Sequence, residues 1–243
     1  MKGSQSPRAW LQEHPLQPGE QLYAIFSNAS AAGPLAAWRR SMTAAASPIW
    51  ADTPYAGWEA VMPYVGVVAA DSAFLDWIAA GDSLDWGWLA VSSACQDTLA
   101  RHLCGLTQVL LPGGQSVFFR FWDGRFLQPI LQSPEVEAGQ LLPLVSRCLI
   151  NGLALEIVGN TQRPARIFPW WEVPDAVLEG LAGHSSECLR DNLLRWLSEE
   201  HPYLFERVDE CILRCKVTHF LEAFGPGEAP KAQLLGYLTQ ELG

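Results

Sequence analysis

The stretch 86–127, WGWLAVSSACQDTLARHLCGLTQVLLPGGQSVFFRFWDGRFL, limits what this chain can fold into more than any other. Residues 86–93 form a short apolar run closed by Ser92 and Ser93. A run of that length, rich in Trp, Leu and Val, suits a strand covered on both faces. Ser92 or Ser93 is placed to cap a following helix, along which Leu99, His102, Leu103 and Leu106 recur at helical spacing. Pro112-Gly113-Gly114 breaks the chain, and 117–122 reads as a returning strand. Arg120, Asp123 and Arg125 stand where that strand ends, among aromatics. An isolated buried ion is costly, so these charges must pair with one another or lie at a rim.

The flanking sequence extends the same alternation. Residues 1–19 are polar and carry three prolines, which suggests a loose arm. Strands are expected at 21–26 and 63–68, and helices at 35–43 and from an Asp71 or Ser72 cap to Ala80. Segment 44–58 is turn-rich and offers Trp50 and Trp58 either to the core or to a partner. Pro129 admits residues 126–131 as the first turn of a short helix but not as a helix interior. Segments 145–151 and 153–158 are expected to add strands, and 160–169 is a loop with Arg163 and Arg166. From Pro174 the pattern turns helical, over 185–197, 201–224 and 229–242. The expected architecture is α/β in the α+β sense: a lobe over 20–160 with a mixed sheet and flanking helices, then a helical lobe over 174–243, with the boundary near 160–175.

Composition narrows the function. The 243 residues carry a net charge of −10, which argues against nucleic acid or an anionic membrane as the main partner. Eleven tryptophans supply core and interface area. Six cysteines, at 95, 104, 148, 188, 211 and 215, are spread too thinly for a disulfide scaffold and fit a reducing cytosol. The N-terminus, MKGSQSPRAW, lacks the apolar core of a signal peptide, and no stretch reaches the length of a membrane span. A cytoplasmic protein is expected.

Several groupings bear on chemistry. Cys211, Cys215 and His219 share one helix face; zinc there would need a fourth ligand such as Cys188 or His184. The plainer reading has the small cysteines lining a helix–helix contact, and no metal or other cofactor is expected. Ser92 or Ser93 with His102 and Asp123 contains the residue types of a hydrolase triad, but no G-x-S-x-G elbow accompanies them. His102 more simply finds one polar partner, for which Asp123 is a candidate. Leu111-Pro112-Gly113-Gly114 lacks the Lys-Ser/Thr and glycine spacing of a phosphate loop. Trp170 and Trp171, with Phe168, form an aromatic segment able either to anchor a partner or to be buried between lobes.

Tyr23-Ala24-Ile25-Phe26, Ala60-Val61-Met62-Pro63-Tyr64-Val65, Trp86-Gly87-Trp88-Leu89, Arg101-His102-Leu103, Leu111-Pro112-Gly113-Gly114 and Phe119-Arg120-Phe121-Trp122-Asp123-Gly124-Arg125-Phe126-Leu127 follow one another in an informative order. That order resembles the effector adaptors of bacterial type VI secretion, also called Tap or Tec chaperones and catalogued as a domain of unknown function. The resemblance covers residues 20–130. It departs from the family at Ser27, where the opening strand usually ends in Asp, at Cys104-Gly105 after His102-Leu103, and at Gly124, where the family has Pro. The resemblance implies a chaperone without catalytic activity that binds a secreted toxic effector and helps load it onto the VgrG spike. It makes Arg101, His102, Arg120, Asp123 and Arg125 the signature cluster, and Trp170 and Trp171 further contact candidates. The rival classes are an immunity or scaffold protein that blocks a toxin, and a hydrolase.

Overall fold

The computed structural model describes residues 4–41, 44–158, 168–205, 207–224 and 230–242, without the side chains of 179–188, 192, 224, 230 and 242. Met42 and Thr43 of the expected 35–43 helix, and Arg163 and Arg166, lie outside the described residues. The chain divides into two compact units, Met1–Val177 and Leu178–Gly243.

In the first unit the elements run α1 (Pro7–Glu13), β1 (Gln21–Ser27), α2 (Pro34–Ser41), β2 (Ser47–Pro48), β3 (Pro63–Val67), α3 (Ala73–Ala80), β4 (Gly87–Ser92) and α4 (Gln96–Cys104). They continue with β5 (Gln108–Leu110), β6 (Ser116–Phe118), α5 (Gly124–Gln132), α6 (Ala138–Leu141), β7 (Arg147–Ile150) and β8 (Leu153–Glu156). A six-stranded sheet has the order β2-β3-β1-β4-β7-β8, and β5 and β6 form a separate hairpin. The α+β class expected from the sequence is the observed one. The sheet is not mixed in direction, however: every pairing in it is antiparallel. A parallel contact occurs outside it, at the isolated bridge Leu110–Glu172.

Strand β1 lies at the centre, and its residues Leu22 to Ser27 are all buried. Alternation sends Leu22, Ala24 and Phe26 to one face, where they meet Trp10, Trp38, Phe74, Leu89 and Val91. Tyr23 and Ile25 take the other face with their cross-strand partners Ala90 and Trp88. A strand with both faces covered reads as a continuous apolar run, which is why 86–93 was legible. Asn151 (φ 51°) and Gly152 (φ 75°) close the β7–β8 hairpin with two left-handed residues, the arrangement that matches strand twist.

Four local expectations are corrected. The 1–19 arm contains α1: Ser6 Oγ accepts from the Ala9 N–H, and Pro7 occupies the first helical turn, where it has no needed donor to lose. That helix drives Trp10 fully into the core, and Arg8 grips Asp76 of α3 through two bonds of 2.6 and 2.7 Å. The cap of α4 is Cys95, because Ser92 Oγ is spent on the Leu144 carbonyl and the Ala94 N–H. The 117–122 strand stops at Phe118, after which the chain turns through an Asp123 N–H to Arg120 carbonyl bond of 3.0 Å. Pro129 sits inside α5 after all. The bond it removes is offset by the cap at Asp123 and by burial of Leu127, Ile130 and Leu131.

The second unit holds most of α7 (Asp175–Glu200), then α8 (Pro202–Phe205), α9 (Glu210–Phe224) and α10 (Pro230–Leu242). The expected 201–224 helix is therefore two, the second started by Asp209, whose carboxylate accepts from the Cys211 N–H at 2.8 Å. Leu193, Leu197, Leu213, Val217, Phe220, Leu234 and Leu238 form its core. No described helix is long and apolar enough to cross a membrane.

Candidate functional site

Asp123 is the pivot of the polar cluster. Its side chain is fully buried at the N-cap of α5, where Oδ1 accepts the Arg125 backbone N–H at 3.0 Å. Arg125 folds back on the same carboxylate, Nε to Oδ1 at 3.1 Å and Nη2 to Oδ2 at 2.8 Å. Arg120 Nη2 completes the set at 2.9 Å from Oδ2, with its guanidinium carbon 5.3 Å from the Phe126 ring centre. One buried anion thus holds two partly exposed cations, and its hydrogen-bonding capacity is well used.

A second carboxylate joins them that the sequence did not single out. Asp85 Oδ2 is 3.4 Å from Arg125 Nη2, and its Oδ1 accepts from Ser30 (2.7 Å) and Ser83 (2.6 Å). Burial alone would raise its proton affinity, but the Ser83 and Ser30 hydrogen bonds and the charges of Arg125 and Arg120 outweigh it. The group is held below its ordinary value of 3.8. Because the folded value lies below the unfolded one, this stabilisation is complete above the unfolded value and is lost as pH falls through the folded one. Urea unfolding across the acid range should show the wild type losing stability below about pH 4 more steeply than Asp85→Asn.

The other sequence candidates lie elsewhere. Arg101 is exposed and bonds within its own helix, to the Asp97 carbonyl (3.3 Å) and Thr98 Oγ1 (3.4 Å). His102 does not pair with Asp123. Its Nε2 is 2.9 Å from the Leu141 carbonyl oxygen, which can only accept, so Nε2 carries the proton. Trp170 is half-buried with its ring 6.1 Å from that imidazole, and Trp171 packs 5.7 Å from Phe119. The Trp171–Val173 backbone runs beside β5, with the Leu110 N–H donating to Trp171 O and the Val173 N–H to Leu110 O, both at 2.8 Å. Ser92, His102 and Asp123 each face a different partner and form no relay.

The more exposed aromatic surface is built from residues distant in sequence. Trp58 and Phe118 are 47% and 44% exposed and stack at 5.4 Å, with Tyr55 within 5.2 Å of both rings. Beneath them lies buried Trp50, whose Nε1–H donates to Thr107 Oγ1 at 2.8 Å. Trp50 rests edge-on against Trp122 at 5.3 Å, and Trp122 immediately precedes Asp123. The ion cluster and the ring platform thus meet at two adjacent residues, Trp122 and Asp123. The sequence flagged Trp50 and Trp58, but only the fold adds Phe118.

Cys211, Cys215 and His219 line an open groove with Ile212, Lys216, Tyr237 and Glu241. The two cysteines are exposed instead of sealing a helix contact. No group of three or more metal-binding side chains occurs among the described residues, and the side chains of Cys188 and His184 lie outside them. Cysteine reactivity should be graded by position. Cys95 is exposed, and hydrogen bonding from the Thr98 side chain and backbone pulls its thiol below the ordinary value. Burial pushes Cys104 up and Cys148 to about 12. Brief iodoacetamide treatment with peptide mass mapping should label Cys95 well before Cys104, and Cys148 only after unfolding.

No curated protein and no solved structure matches this chain. Residues 22–139, which carry both the ion cluster and the aromatic surface, match the family model described as "Domain of unknown function (DUF4123)".

Proposed function

We propose that this chain is an effector adaptor of type VI secretion: a cytoplasmic chaperone that binds one toxic effector and helps mount it on the VgrG spike. The family whose model matches residues 22–139 is associated with that role, and this match carries the reading. The rest of the structure is consistent with recognition in place of turnover. Arg120, Asp123 and Arg125 are engaged with one another, and Asp123 directly follows Trp122, which packs against Trp50 beneath the exposed rings. Exposed rings beside charged groups are a common basis for protein recognition, because they bury large area at small entropic cost.

The test is deletion of the gene in its own host, followed by measurement of each effector in the medium. One effector should be lost from the medium and regained on complementation, and that effector should co-purify with the tagged chain. Unchanged export of every effector would overturn the reading. Protection of a sister cell from the toxin, with export intact, would assign the chain to immunity instead.

A further inference from the structure

We propose that the free edge of β6, together with the Trp58–Phe118 ring pair, receives an extended Arg- or Lys-bearing segment of the partner polypeptide as an added strand. That the partner is the effector rests on the adaptor reading above.

Three observations converge on this edge. The β5–β6 hairpin is two-stranded, and among the described residues nothing pairs with the outer side of β6. Leu111 N–H donates to Gln115 O and Phe119 N–H to Thr107 O. Antiparallel alternation then turns the backbone groups of Ser116 and Phe118 outward. The opposite edge of the same hairpin already takes an extended segment, through Leu110 and residues 171–173. Strand addition is thus a mode this hairpin uses within its own chain.

The side chains define the occupant. A segment lying along β6 brings alternate residues against the stacked rings of Phe118 and Trp58. Asp52 and Glu59, on the loop that carries Tyr55 and Trp58, are both exposed. No Lys or Arg occurs between Arg40 and Arg101, and none between Arg101 and Arg120. Arg120, two residues beyond Phe118, is held by Asp123 and Phe126. A cation over an indole face, with carboxylates nearby and no competing cation on the loop or hairpin, is the complement this surface offers. An acidic segment would meet repulsion, and an uncharged one would forgo the attraction of the carboxylates.

The experiment uses the full chain and fluorescein-labelled peptides of alternating Arg and Val, of alternating Glu and Val, and an Arg–Val version N-methylated at every second residue. Binding is read by anisotropy. The Arg–Val peptide should bind, Trp58→Ala should weaken it about tenfold, and Asp52→Asn with Glu59→Gln should weaken it about threefold and flatten its salt dependence. The N-methylated peptide should bind about tenfold more weakly, since it cannot complete the ladder. Trp58 is a surface ring, and circular dichroism checks that its variant stays folded. Equal binding by wild type and Trp58→Ala, or equal binding of the Glu–Val peptide, overturns the proposal. So does a dimer in sedimentation that Trp58→Ala disperses, which would make a second copy the occupant. The two readings fail separately: intact export after gene deletion defeats the adaptor role alone, whereas lost export with Trp58-independent peptide binding defeats this surface alone.

Discussion

Gly87→Ala should destabilise the first unit by about 3–5 kcal/mol, the largest effect expected of any single methyl group here. Gly87 opens β4 at φ 142°, a conformation that side chains rarely adopt. A Cβ there would stand 2.2 Å from the Ile25 carbonyl oxygen and 2.9 Å from Phe26 Cβ. Both neighbours belong to β1, the fully buried central strand, so neither can move aside without breaking the sheet. Gly19→Ala supplies the control, because Gly19 also has a positive φ (87°) but nothing lies within 4 Å of its Cβ position. It should cost only about 1 kcal/mol. Urea unfolding followed by tryptophan fluorescence measures both. Equal midpoints would show that close approach to β1 does not limit this position.

Asp123→Ala should cost about 2–4 kcal/mol, from loss of the α5 cap and of the anion that two arginines share. The range is kept below that of a fully buried pair because Arg120 and Arg125 remain 42% and 32% exposed and can be rehydrated. Arg120→Ala, by the same reasoning, should cost about 1 kcal/mol or less. Asp123→Asn should fall between them, since its amide oxygen keeps the cap while its N–H₂ confronts guanidinium donors. The effect should also reach the aromatic surface. Trp122 adjoins Asp123 and supports Trp50, so the near-ultraviolet circular dichroism of the tryptophans should weaken in Asp123→Ala at temperatures where the far-ultraviolet signal is retained. An unchanged aromatic signal would separate the ion cluster from the ring platform.

The same adjacency bears on Arg120, Asp123 and Arg125. In sequence they read as charges that must pair with one another or lie at a rim, beside an aromatic run. In the fold they satisfy one another, with both guanidiniums still partly exposed. Gly124 directly follows the Asp123 cap. It opens α5 against the Asn151 side chain, where an added Cβ would stand 2.9 Å from Nδ2, so this chain packs the helix start closer to the β7–β8 turn than a side chain would allow.

What the sequence determined by itself was what periodicity and local chemistry encode. The runs at 21–26, 63–68 and 86–93 announce buried strands because both faces of each are apolar. Ser72, one of the two residues offered as a cap, takes that place on α3, and the amphipathic stripes after residue 185 announce helices because their apolar residues recur every third or fourth position. What only the tertiary structure decided were the meetings between distant segments. Asp85 reaches Arg125 because Trp88 Nε1 on β4 donates to the Phe121 carbonyl at 2.9 Å and pins the two stretches together. His102 finds the Leu141 carbonyl instead of Asp123 because α6 is folded back beside α4. Trp58 meets Phe118 because Trp50 is anchored on Thr107, at the foot of the hairpin. The physical reason is common to all three. Periodicity records whether a side chain is buried, whereas its partner depends on a strand order, β3-β1-β4-β7, in which neighbours in space are not neighbours in the chain.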